Sequence, residues 1–189
     1  MIETTCMKTI MTGVVLNIAV FSGSALAMID FQSKDPIKQM EVGYAYYNGS
    51  EGLEKSHAEA AKWFRKAADN GSFRAMNILG VLYANGKGVQ QNVTEAARWF
   101  RRTAEQGDAS GMFFLGAAYV TGDGVKQDLA EGAKWIRKAA ERGNAYAMEK
   151  LGALYQTGQG VPKDEKLAVM WYRKSVQQGN AEHMEHLQL

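Results

Sequence analysis

The only four tryptophans of the chain, Trp63, Trp99, Trp135 and Trp171, stand 36 residues apart without drift. A fixed period of this length marks an array of helical pairs, because each unit leaves an apolar face that only its neighbour can cover. An array offers a long open surface and no enclosed catalytic pocket, which points to binding rather than turnover.

The units can be read directly. The second passes from Ala75 through Leu79-Gly80, Tyr83 and the loop Gly86-Lys87-Gly88-Val89 to Trp99, Ala104 and Gly107. The third carries Leu115-Gly116, Tyr119, Gly122, Gly124, Val125, Trp135 and Gly143 in the same register. The fourth carries Leu151-Gly152, Tyr155, Gly158, Gly160, Val161, Trp171 and Gly179. The first unit is less regular, and its loop from Tyr46 to Gly52 is one residue longer. The expected units span about 39–74, 75–110, 111–146 and 147–182, followed by a capping helix over 181–188.

Within each unit the apolar residues follow a helical period. Ala75, Leu79, Leu82 and Tyr83 fall on one face of an opening helix, and Ala96, Trp99, Phe100, Thr103 and Ala104 do so on a closing helix. The expected fold is all-α: a right-handed superhelical solenoid of antiparallel helix pairs. Gly80, Gly116 and Gly152 follow the core leucines. Glycine inside a helix costs about 1 kcal/mol against alanine, so its recurrence implies a close helix–helix approach. The Gly-x-Gly loops are read as helix ends, where glycine accepts the left-handed conformation. A phosphate-binding reading fails, since no Lys-Ser/Thr follows the loops. Asp35-Pro36 reads as the first helix cap.

The leading residues are of another kind. Met7-Lys8, an apolar run to Phe21 and the small residues ending Ala25-Leu26-Ala27 have the order of a secretory signal peptide over 1–27, cut after Ala27. The alternative is an uncleaved N-terminal anchor, and either Met1 or Met7 is the start. A cut after Ala27 leaves a solenoid over 28–189 with no cysteine, placed in the periplasm or outside the cell and held by packing without disulfides. A net charge of +2 argues against a nucleic-acid footprint. No stable membrane span is expected after signal cleavage.

The order Ala-x-x-x-Leu-Gly-x-x-Tyr-x-x-Gly-x-Gly-Val, then an Ala-x-x-Trp-x-x-Lys-Ala-Ala-x-x-Gly helix, resembles the Sel1-like repeat, a relative of the tetratricopeptide repeat. The likeness runs from about Met40 to Leu187; Asn92 stands where Asp128 and Asp164 stand. The resemblance implies a non-catalytic adaptor that binds a client protein. It also allows a periplasmic immunity protein that blocks a cognate toxin. From another class, it allows a small cell-wall or β-lactam hydrolase, a reading weakened by the absence of that branch's paired cysteines. No cofactor is expected, and the chain is expected to be a monomer.

In such a solenoid the opening helices line the concave face. Positions two before, two after and five after each core leucine lie roughly 160° from it on the helix. These are Met40, Tyr44 and Tyr47 in the first unit, and Asn77, Val81 and Ala84 in the second. They are Phe113, Ala117 and Val120 in the third, and Glu149, Ala153 and Gln156 in the fourth. The partner-binding set is accordingly Tyr44, Tyr47, Asn77, Val81, Phe113, Ala117, Val120, Glu149 and Gln156. Its rings either anchor a partner or pack on the neighbouring unit. A basic ladder that includes Lys62, Arg65 and Lys66 and its equivalents runs along the closing helices. It reads as a solvated face, with anionic lipid or an acidic protein as the alternative. His183 and His186 stand at i, i+3 near the end of the chain, a poor place for a metal site.

Overall fold

The structure, a computed structural model, describes residues 30–179. The signal segment over 1–27, the capping helix over 181–188 and the pair His183/His186 lie outside the described residues. Among the described residues eight helices follow one another: α1 (Pro36–Asn48), α2 (His57–Asp69), α3 (Phe73–Asn85), α4 (Val93–Glu105), α5 (Ala109–Thr121), α6 (Leu129–Glu141), α7 (Ala145–Thr157) and α8 (Glu165–Gln177). Each packs mainly on its neighbours in the chain, which makes an all-α solenoid of helix pairs. Among the described residues no helix is long and apolar enough to cross a membrane.

Helix length is uniform because the ends are uniform. Every described helix has 13 residues and starts on the side-chain oxygen of an Asp, Asn or Ser: Asp35, Ser56, Ser72, Asn92, Asp108, Asp128, Asn144 and Asp164. Each oxygen accepts a backbone N–H that the first turn leaves without a partner. Asn92 does the same work as Asp128 and Asp164, which explains its standing in their place. The first helix of each pair stops on a left-handed glycine: Gly49, Gly86, Gly122 or Gly158.

The mid-helix glycines open the close approach that their cost implies. A Cβ on Gly43 would stand 2.7 Å from the Phe64 ring, one on Gly116 2.7 Å from Ile136 Cγ1, and one on Gly152 2.9 Å from the Tyr172 ring. At Gly80 it would collide with the ring of Phe100. The second glycine of each loop does more than end a helix. A Cβ on Gly88, Gly124 or Gly160 would strike the carbonyl oxygen of His57, Val93 or Leu129, the first residue of α2, α4 or α6. Each loop is therefore pinned, backbone to backbone, on the preceding pair.

The basic ladder is largely committed. In the first unit Lys62 pairs with Glu59 at 2.6 Å, Arg65 donates to the Tyr83 hydroxyl at 2.7 Å, and Lys66 lies 3.6 Å from the centre of the Trp63 ring. The Arg–Tyr bond recurs from Arg101 to Tyr119 and from Arg137 to Tyr155, and each links one pair to the next. The cation over tryptophan recurs as Arg102, Lys138 and Lys174. Trp63, Trp99 and Trp171 are buried and Trp135 is half-buried, so the tryptophans that mark the period are core residues with a cation resting on the indole.

Candidate apolar groove

A cavity of about 600 Å³ opens between α1, α3 and α5, the first helices of three successive pairs. Phe64, Ile78, Val81, Leu82 and Phe114 give it an apolar lining, and Tyr44 and Tyr47 form the α1 wall. Tyr44 meets Phe64 edge-on at 5.2 Å and carries the Arg74 guanidinium 5.4 Å above its ring. Tyr47 packs against the His57 ring at 4.6 Å, and its hydroxyl accepts from Lys87 Nζ at 3.3 Å. Cations on the faces of tyrosine rings exploit the ring quadrupole.

One polar network crosses the groove floor. Asn77 is only 7% exposed; its amide donates to Asp108 Oδ1 at 2.7 Å and its carbonyl accepts from the Thr103 hydroxyl at 2.8 Å. Asp108 is the only carboxylate in the lining, and the same oxygen caps α5 through the Gly111 N–H at 2.6 Å.

The structure assembles four residues of the predicted concave set, Tyr44, Tyr47, Asn77 and Val81, in this groove. Of these, Asn77 corrects the outward-facing expectation, because its amide ties α3 to α4 and to the α5 cap. Met40 is corrected in the same way: it is buried in the core. Phe113 packs on Phe114 at 5.5 Å and on the exposed Tyr146 at 6.4 Å, beside the groove rather than in it. Val120 turns into the α5–α6 contact, where a Cβ on Gly132 would meet its Cγ2 at 2.7 Å. Ala117 is half-buried on α5 and is not among the lining residues.

In the fourth unit, Gln156 accepts from the Tyr172 hydroxyl at 3.1 Å. Burial, and then the charge of Glu149, push the Tyr172 phenol above its ordinary pKa. Both Gln156 and Glu149 therefore belong to the α7–α8 contact.

Arg74, Ile78 and Phe114 are groove residues that the helical wheel missed. The signal was present, since Ile78 and Phe114 are apolar one position before Leu79 and Leu115, where Lys150 precedes Leu151. The open side of these helices is rotated toward the preceding unit, because burial on two neighbours covers more than the arc opposite the leucine.

The comparisons with known proteins agree with this architecture. The Sel1 repeat model matches residues 39–72, 73–108, 109–144 and 145–180. A solved Sel1 repeat protein from Oxalobacter formigenes is 38% identical with a TM-score of 0.75, covering 82% of this chain and 62% of its own. The protein c5321, a protective antigen of uropathogenic Escherichia coli strains with an SLR fold, is 38% identical with a TM-score of 0.73, covering 80% of this chain and 32% of its own. The ERAD-associated E3 ubiquitin-protein ligase component HRD3A of Arabidopsis thaliana is 46% identical over 44 residues, which is 23% of this chain and 6% of HRD3A. The chain thus spans less than two thirds of each of these relatives. Proteins built of Sel1 repeats are generally non-catalytic scaffolds that bind other proteins. With four such repeats in register and their solenoid fold, the chain belongs to the Sel1 repeat family.

Proposed function

We propose that this chain is an exported scaffold that holds another protein in the groove between α1, α3 and α5. The observation that carries the reading is an open apolar cavity walled by tyrosines, in which Val81 is 36% exposed. Aromatic walls around an accessible apolar floor suit the buried anchors on which protein interfaces depend. Export is supported by the signal-like order of residues 1–27. The mechanism is stoichiometric occupation by a monomer, with no bond made or broken.

The test is a pull-down from cell-envelope extract with protein starting at Met28, beside Val81→Asp and Tyr47→Ala versions. The expected result is a partner retained by the parent and lost with both variants, at unchanged helical content. Capture of the same proteins by all three would overturn the groove. A partner enzyme silenced by the complex would narrow the role to inhibition, whereas several partners of moderate affinity would fit an adaptor. Fusion of residues 1–27 to a reporter active only outside the cytoplasm checks export, and an inactive fusion would refute it.

A further inference from the structure

We infer that the groove is shaped for an extended protein segment in which carboxylates flank apolar side chains. The inference rests on the protein-binding reading above and names the chemistry of the partner. It starts from how this solenoid spends its cations. Along the closing helices most of them pair with a glutamate, donate to a tyrosine of the next pair, or rest on a tryptophan.

Arg74 and Lys87 are spent differently: Arg74 rests over the Tyr44 ring, and Lys87 donates to the hydroxyl of Tyr47 in the preceding pair at 3.3 Å. Both lie against the two tyrosines of the groove wall, and among the described residues no carboxylate is within ion-pair distance of either. The one carboxylate in the lining, Asp108, is already engaged by the α5 cap and by Asn77.

Their placement gives the occupant a length and a pattern. Arg74 is the second residue of α3, and Lys87 follows its C-terminal end, with Ile78, Val81 and Leu82 between them. Thirteen helical residues rise about 20 Å, which an extended chain crosses in about six residues. A purely apolar occupant would cover Arg74, which lines the groove, without pairing its charge, a costly arrangement, and would pass beside the exposed Lys87 at the other end without using it. Carboxylates at its two ends remove that cost. A guanidinium over a tyrosine face also keeps N–H donors available for a bidentate carboxylate.

The test is selection of a random 12-residue displayed-peptide library on three forms: the parent, Arg74→Gln/Lys87→Gln, and Val81→Asp. Circular dichroism establishes that each is folded. The parent should enrich peptides with Asp or Glu on both sides of an apolar stretch, and the charge-neutral form should enrich apolar stretches without the acids. The best parent peptide should bind the charge-neutral form at least about tenfold more weakly, since tenfold is the scale of a single lost charge-assisted contact and two are removed. Its affinity for the parent should also fall with salt.

Acids absent from the parent's peptides, or equally enriched on the charge-neutral form, would overturn the inference while leaving the groove intact. The same peptides on Val81→Asp would overturn the groove reading itself. An empty selection on the parent would overturn both.

Discussion

Asn77 joins three elements with one amide: α3, which carries it, Thr103 of α4 and the Asp108 cap of α5. Truncating it to alanine removes the bonds to both Thr103 and Asp108, and should cost about 1–3 kcal/mol in urea unfolding. Thr103 keeps the Phe100 carbonyl as a second acceptor at 3.0 Å. A cycle with Thr103→Val should therefore be non-additive by about 0.5 kcal/mol or more.

Gly80→Ala tests packing instead, since its Cβ would enter the space of the Phe100 ring. An overpacked core costs about 1–3 kcal/mol, readable as a lower midpoint at unchanged slope. Tyr46 gives a pH effect. Burial first, and Glu59 second, raise its folded-state pKa above the ordinary value. The neutral phenol is thus favoured in the fold, and its contribution is complete below a pH of about 10 and is lost as pH rises further. Tyr46→Phe should shallow the alkaline fall in stability followed by circular dichroism. At this scale the sequence spoke clearly where chemistry was costly, as at Gly80, and poorly at Asn77, whose partners lie 26 and 31 residues away.

The eight described helices were legible because apolar period, cap and glycine stop all agree. Their caps differ in residue and not in role. Asp128→Ala should cost about 1 kcal/mol, while Asp128→Asn should be nearly silent, because Asn92 already caps α4 through the Glu95 N–H. Thermal melts of the two variants would show the difference. The direction of the groove was less legible. A wheel centred on the core leucine treats a helix as touching one neighbour, but α3 packs on α2, α4 and α5. The extra contacts consumed Asn77 on α3, and Val120 on α5 was consumed likewise, while Ile78 and Phe114 were left facing the cavity.

Among the described helices contacts run mainly between neighbours, so stability should behave as a sum over local terms. Gly43→Ala and Gly152→Ala disturb pairs with two others between them. Their costs in denaturant should add within about 0.5 kcal/mol. A larger coupling would mean that strain set up in the first pair is transmitted to the fourth.

The pin between Gly88, Gly124 or Gly160 and the carbonyl of the preceding pair involves no side chain on either side. This contact between successive pairs is therefore indifferent to groove residues such as Tyr47, Ile78 and Val81, whereas Asn77 ties one pair to the next through its own side chain. Such a molecule resembles a ruler with partly blank graduations: part of the spacing of its marks is held by the peptide chain, and what is written at a mark such as Val81 can be changed without bending the rule.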